Sequence, residues 1–329
     1  MKPDVLVTVA SAVQSSDAGF IEQFAREVTA ILSAHVGYYE VLLIDNGSDD
    51  AVVKILERVL KHFPFVRVVR LSRCYEDGIV FAAALDHSLG DFVVLMDMAS
   101  DPPAVVPDLI ARCEAGYDAV VGVTDKKWHD SPIGRLGARV FSRLFEALTG
   151  YAVHPDGTNF VALSRRIVNS ITKIRDRQRY MKHLTAYVGF NRTYLSYQPV
   201  LRDVPLRRRS LLAAVNAAVG TIVSNSTMPL RLVSLVGVTA SFVSVMYSVF
   251  VLAISALRSA GVRINAAEGW ASTNMFSAVM FFLLFLMLAV LSEYVSKIMN
   301  ESQQRPLYHV AYESNSSVVE AFKDRVNVV

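Results

Sequence analysis

The sequence predicts an α/β domain with a mostly parallel sheet, followed by an interfacial helix and two transmembrane helices. Up to Val123, short apolar runs of strand length alternate with segments of helical periodicity. After Met228 the chain carries two uncharged stretches, Leu232–Leu257 and Trp270–Ser292, each longer than the ~20 residues that cross a bilayer core. Strands that are apolar throughout, separated by amphipathic helices, indicate a parallel sheet covered on both faces.

The elements follow in order. Val5–Val9 is the first strand, and Gly19–Ser33 is a helix with Phe20, Phe24, Val28, Ile31 and Leu32 on one face. Tyr39–Ile44 is the second strand, followed by a helix from Ala51 to His62. Phe65–Leu71, Phe92–Met96 and Ala119–Val123 are the next strands, separated by helices over Gly78–Leu89 and Val105–Ala115. Ligands of such sheets bind at the carboxyl ends of strands, near a topological switch point. Asp45 and Asp97 both fall at such an end.

Composition sets the class. Of the 329 residues, 53% are hydrophobic, and the excess lies after Met228. A net charge of +3 does not suggest a nucleic-acid partner. Cys74 and Cys113 have no metal-ligand spacing and fit a reducing compartment. The amino terminus reads as a strand, with no signal-peptide pattern. Arg207–Arg209 and Arg231 precede the first apolar run, and Lys297 and Arg305 follow the second. The loop between has Arg258 and Arg263, partly offset by Glu268. The excess of flanking positive charge predicts both termini in the cytoplasm. The expected organisation is a cytosolic domain over 1–209, an interfacial amphipathic helix over 210–228, two membrane helices over 229–298 and a cytosolic tail over 299–329. A transporter is a poor reading, because the two runs hold no intramembrane charge to line a path.

Four motifs carry candidate chemistry. In Asp45-Asn46-Gly47-Ser48, Gly47 can take a positive φ and Ser48 can cap the next helix, which leaves Asp45 unexplained by the turn alone. In "DMASDPP", Asp97 is placed to hold a divalent cation that bridges phosphates. Asp101 either adds a ligand or starts the turn that Pro102 and Pro103 force. Asp156-Gly157-Thr158-Asn159-Phe160 offers a carboxylate before an apolar strand, either as a general base or as an Asp-Gly turn. Lys126 and Lys127 precede Arg135, Arg139 and Arg143, which recur every four residues on one helix face. That face is either solvated or suited to a lipid phosphate.

Together these pieces resemble the family 2 inverting glycosyltransferases of GT-A (Rossmann-like) fold. More narrowly they resemble the polyprenyl-phosphate enzymes related to dolichyl-phosphate mannose synthase, with two C-terminal membrane helices. The resemblance runs through Asp45–Ser48, Ser72–Tyr75, Leu85–Asp91, "MDMASDPPA", Arg139–Leu144, Val188-Gly189-Phe190 and Gln304–Tyr308. It implies transfer of a sugar from a nucleotide-diphosphate sugar to polyprenyl (undecaprenyl) phosphate at the cytoplasmic membrane, for cell-surface polysaccharide or glycan modification. It implies Mg²⁺ or Mn²⁺, with Asp97 and Asp101 as ligands. It places Ala10, Asp45, Gly47, Arg73 and Asp97 at the donor nucleotide, and Asp97, Asp156 and Asn159 at the reacting centre. Lys126, Arg135 and Arg139 would meet the acceptor phosphate. A homo-oligomer, a tetramer in related proteins, is also implied.

The departures from that pattern cluster at the site. Ala10–Gln14 lacks the base-stacking aromatic of the usual first-strand end. Asn46 replaces an aspartate, and Met98-Ala99 replaces the second half of the Asp-x-Asp metal motif. Gly122–Asp125 lacks the usual arginines, Asn159 and Val161 replace an acid and an arginine, and Leu201–Leu206 lacks the usual closing loop. Two classes of function therefore stand: an active glycosyltransferase, or an impaired member serving as a membrane scaffold or regulator.

Overall fold

The computed structural model describes residues 5–124, 156–174, 181–200, 228–260, 270–302 and 306–316, with a few residues between 143 and 154. The chain divides into two compact units, Met1–Ser210 with Arg305–Val329, and Leu211–Gln304.

The first unit is built on one sheet of eight strands: β1 (Leu6–Val13), β2 (Tyr38–Asp45), β3 (Val66–Leu71), β4 (Phe92–Met96), β5 (Ala119–Thr124), β6 (Gly157–Ser164), β7 (Arg192–Tyr197) and β8 (Val310–Asn315). Their order is β7-β5-β6-β4-β1-β2-β3-β8. The central run β4-β1-β2-β3 is parallel, with Val9 opposite both Val41 and Val94. β6 runs antiparallel between β4 and β5, and β7 is parallel to β5. β8 closes the other edge, antiparallel to β3. The expected parallel sheet is therefore the centre of a mixed one.

Burial explains the uninterrupted apolar strands. Alternate residues face opposite sides, and each side has its own core. Val41, Leu43, Val66, Val68 and Val94 pack with α1 (Ile21–His35), α2 (Asp50–His62) and α4 (Val106–Glu114). Leu42, Ile44, Val69, Val93 and Leu95 pack with α3 (Asp77–His87), α5 (Arg165–Thr172) and Leu184 of α6 (Met181–Tyr187). A strand buried on both faces has no polar alternation to show.

Charge is also buried in this sheet, at its amino half. Arg67 and Glu40 form an ion pair, with side chains 4% and 5% exposed. Glu40 Oε2 accepts from Thr8 Oγ1 at 2.7 Å and from Leu89 N at 3.2 Å. Arg67 donates to His87 O at 3.0 Å and to Asn315 Oδ1 at 3.2 Å. Glu313 Oε2 lies 3.7 Å from Arg67, and Glu313 Oε1 lies 2.8 Å from His87 Nδ1.

The second unit holds α7 (Met228–Ser259) and α8 (Trp270–Ser302). They pack against one another: Tyr247 stacks on Phe276 with centroids 4.4 Å apart, and a Cβ at Gly237 would lie 2.6 Å from Met287 Sδ. Two membrane spans were the expectation. Among the described residues one stretch is long and apolar enough to cross a membrane, Met275–Ser296. In α7 the apolar stretch is shorter, Val233–Tyr247. Ser234, Thr239, Ser241 and Ser244 dilute it, and Ser234 Oγ and Thr239 Oγ1 return hydrogen bonds to Leu230 O (2.9 Å) and Leu235 O (3.0 Å).

Candidate active site

The chain passes from β1 to β2 and β3 on one side, and then to β4 on the other. This reversal opens a crevice at the strands' carboxyl ends. Asp45 ends β2, and Asp97 follows β4. β6 enters beside β4 with Leu95 opposite Val161 and Val94 opposite Ala162. Continuing that register past the end of β4 sets Asn159 across from Asp97. Asp156 lies just ahead of β6, where its carbonyl accepts from Thr124 N at the end of β5, 3.3 Å away. Asp97, Asp156 and Asn159 are all exposed. Three sequence-predicted residues thus gather at one sheet edge. Lys126, Arg135 and Arg139 lie outside the described residues.

Asp97 sits on a tight turn. Its Oδ1 accepts from Ala99 N at 3.0 Å and its Oδ2 from Ser100 Oγ at 3.0 Å. Each oxygen keeps acceptor capacity toward the crevice. Met98, where the metal motif would continue, is fully buried in the apolar core.

Asp101 is the correction. It is not open to a ligand: it is 5% exposed, and both oxygens are spent inside the fold. Oδ2 accepts from Asp97 N at 2.8 Å, and Oδ1 lies 2.7 Å from Tyr197 Oη at the end of β7. Tyr197 Oη is also 3.2 Å from Thr158 Oγ1, which donates to Gly122 O at 3.1 Å. Gly122 admits the ring, since a Cβ there would meet Tyr197 Cε1 at 2.8 Å. The Tyr197 hydroxyl and the Asp97 N–H both donate to the Asp101 carboxylate and favour its ionised form, but burial outweighs them and raises the carboxyl from 3.8 to about 7.

A pH dependence follows. Because the folded value lies above the ordinary one, the folded state binds more protons between about pH 4 and about pH 7. The stability this group contributes is fully present below that window and is lost as pH rises through it. At about 1.36 kcal/mol per pKa unit, the loss is on the order of a few kcal/mol. Thermal unfolding at pH 5 and pH 7.5 should show this fall in the native protein and not in Asp101→Asn. Equal slopes in the two proteins would refute the assignment.

The nucleotide side of the crevice is framed by the Asp45–Ser48 turn. Asp45 is wholly buried. Its Oδ1 accepts from Ser48 N at 2.9 Å, while Oδ2 has no hydrogen-bond partner among the described residues and lies 3.5 Å from Arg70 Nε. Gly47 has a φ of 65° and lies so close to the next loop that a Cβ would meet Arg73 C at 2.6 Å. Asn46 clamps that loop in both directions, accepting from Tyr75 N at 2.7 Å and donating to Tyr75 O at 2.9 Å. An ionised aspartate could accept but not donate, which gives Asn46 a structural reason. Arg73 is exposed, with its guanidinium carbon 5.0 Å from the centroid of the Tyr75 ring. Ala10 is buried in mid-strand, packed in the apolar layer and three residues short of the tip of β1. Sequence reasoning missed Arg70 and Tyr197, because each acquires its role from a distant partner.

Among the described residues no group of three or more His, Cys, Asp or Glu side chains could hold a metal ion. Asp97 fits a divalent cation as a single carboxylate ligand, provided that diphosphate and water oxygens supply the rest.

Comparison with known proteins places this arrangement. The Glycosyl transferase family 2 model matches residues 22–183. The uncharacterized glycosyltransferase YkcC of Bacillus subtilis (strain 168) is 25% identical over 273 residues, 83% of each chain. An undecaprenyl-phosphate 4-deoxy-4-formamido-L-arabinose transferase of Klebsiella pneumoniae subsp. pneumoniae is 28% identical over 295 residues, 88% of each chain. A solved structure of the mannosyltransferase PcManGT from Pyrobaculum calidifontis, in complex with GDP-Man and Mn²⁺, is a looser likeness. Its TM-score is 0.43 at 16% identity, covering 100% of this chain and 82% of that one. Residues 22–183, with the strand tips that carry Asp45, Asp97 and Asn159, are a glycosyltransferase family 2 domain, and the protein is a glycosyltransferase.

Proposed function

We propose that this glycosyltransferase moves a sugar, with inversion, from a nucleotide-diphosphate sugar to polyprenyl phosphate at the cytoplasmic face of a membrane. The observation that carries the reading is the exposed Asp97 carboxylate at a switch-point crevice, on a chain that also holds a helix able to cross a bilayer. The acceptor phosphate is an anion at neutral pH. One of its oxygens bonds to the anomeric carbon as the bond from that carbon to the diphosphate oxygen breaks, and the nucleoside diphosphate leaves with the electron pair. Positioning and charge neutralisation then do most of the work, and a strong base is not required. Asp156 and Asn159 would orient the acceptor beside the sugar. Asp97 would hold Mg²⁺ or Mn²⁺, whose charge offsets that of the leaving diphosphate.

Chain topology supports a two-span anchor. β7 precedes the apolar helices and β8 follows them, and both strands belong to one sheet. That return of the chain to one sheet favours an even number of crossings, with α7 crossing together with α8.

The inward turn of Met98 and Asp101 favours a second reading, a member without metal-dependent turnover that acts as a membrane scaffold. One assay separates them. The full-length protein in detergent is incubated with polyprenyl phosphate, Mn²⁺ and a panel of UDP- and GDP-sugars. The expected product is a glycosyl phospholipid of inverted anomeric configuration from one donor class. No product from any donor, with no thermal stabilisation by UDP or GDP at millimolar concentration, would overturn the proposed transfer to polyprenyl phosphate.

A further inference from the structure

The edge strand β8 comes from the far end of the chain, beyond the apolar helices. It pairs with β3 so that Tyr312 stands opposite Arg70. Its neighbours frame the Asp45–Ser48 turn from two sides. On one side, the Arg70 guanidinium carbon lies 5.9 Å from the centroid of the Tyr312 ring. Arg70 Nη2 donates to Ser48 O at 3.0 Å, and Nε lies 3.5 Å from Asp45 Oδ2. On the other side, His309 N donates to Tyr75 Oη at 3.1 Å, and Ser72 N donates to His309 O at 2.9 Å. Tyr75 is the residue whose backbone Asn46 clamps.

Burial decides which of these groups can meet a ligand. The Asp45 side chain has no exposed surface, whereas that of Arg70 is 21% exposed. The accessible member of the pair is the arginine. A guanidinium has five N–H donors in a fixed fork. Ser48 O takes one, Asp45 faces another and the Tyr312 hydroxyl accepts a third, so two donors remain for a ligand oxygen. Backed by a buried carboxylate and an aromatic ring, the fork is held in one orientation. Its place in the sheet indicates which oxygen it meets. β3 is three strands from β4, about 14 Å at the usual spacing. If the diphosphate lies at Asp97, the base end of the nucleotide reaches toward Arg70.

We propose that the C-terminal strand builds the nucleotide end of the donor site. Arg70 donates to a carbonyl oxygen of the donor's base, and Tyr312 is the positioning residue that holds Arg70 there. The inference rests on the donor-site reading above. It selects bases that carry a carbonyl, such as uracil, thymine or guanine, over adenine, which has none.

The test is a titration of the full-length protein in detergent with UDP, GDP and ADP in the presence of Mn²⁺. Native protein, Tyr312→Ala, Tyr312→Phe and Arg70→Gln are compared. Native protein should bind UDP or GDP more tightly than ADP. Tyr312→Ala should weaken the preferred nucleotide about tenfold, the scale of a partly desolvated cation–π contact, and leave ADP unchanged. Tyr312→Phe, which keeps the ring and removes the hydroxyl that accepts from Arg70, should keep the preference over ADP and bind with an affinity between native and Tyr312→Ala. Arg70→Gln should bind all three nucleotides alike, and it decides the question if Tyr312→Ala fails to fold. In transfer assays, Tyr312→Ala should raise the donor KM with kcat kept. A Tyr312→Ala protein with native affinity and preference would overturn this inference alone, as would one that loses ADP and the preferred nucleotide equally. Native protein that binds no nucleotide would overturn the donor-site reading itself.

Discussion

Asp97→Ala is expected to lower sugar transfer by about two orders of magnitude or more, the scale on which removing one group that stabilises developing charge acts. The fold should survive, because Asp97 is exposed and its two hydrogen bonds, from Ala99 N and Ser100 Oγ, are local to the turn. Losing the two costs about 1–3 kcal/mol. Asp97→Asn is the sharper test, since it keeps an acceptor oxygen for Ala99 N and an amide that can donate to the Ser100 hydroxyl, while it removes the charge. If Asp97 works through its negative charge, both variants lose turnover and the Mn²⁺-dependent part of nucleotide binding together. If it works by shaping the turn, Asp97→Asn keeps most of the activity. A retained native rate in Asp97→Ala would remove the residue from the mechanism and leave the crevice with no exposed acid on β4.

The central layer of this fold is legible in the sequence because it rests on local patterns. Leu42 and Ile44 face one core while Val41 and Leu43 face the other, and a run of such residues reads as a strand buried on both faces. α1, α2 and α4 are equally plain, since each presents one apolar stripe. β8 escaped detection for the opposite reason. Val310–Asn315 is a short edge strand with Glu313, Ser314 and Asn315 in it, and its partner β3 is more than two hundred residues away. β7 was also missed, since its half-exposed residues pair only with β5.

The site was legible in its positions and not in its partners. Asp97 and Asp45 stand at strand tips because parallel strands must end somewhere polar. Whether a carboxylate is open or spent depends on residues that fold against it. Tyr197 takes Asp101 out of reach of a metal, and Asn46 turns an apparent loss of acid into a clamp on Tyr75. Neither partner adjoins the motif that it alters.

Arg67→Ala is expected to destabilise the domain by about 3–5 kcal/mol, the usual result of stranding one half of a buried ion pair. Glu40 would remain buried, with only Thr8 Oγ1 and Leu89 N to satisfy it. The His87 carbonyl and Asn315 would each lose a donor. Domains are stable by about 5–15 kcal/mol, so a large share of the total is at stake. Thermal unfolding of the full-length protein measures it. The double variant Glu40→Leu/Arg67→Met should recover much of the loss, because it removes both charges and fills the space with apolar atoms. A double variant no better than Arg67→Ala would show that the loss comes from packing and not from a stranded charge. The same substitution reaches the nucleotide end by another route. Arg67 binds β8 through Asn315 and Glu313, three residues or fewer from Tyr312. Below its unfolding temperature, Arg67→Ala should therefore also relax the preference for UDP or GDP over ADP, although Arg67 lies at the opposite end of β3 from the crevice.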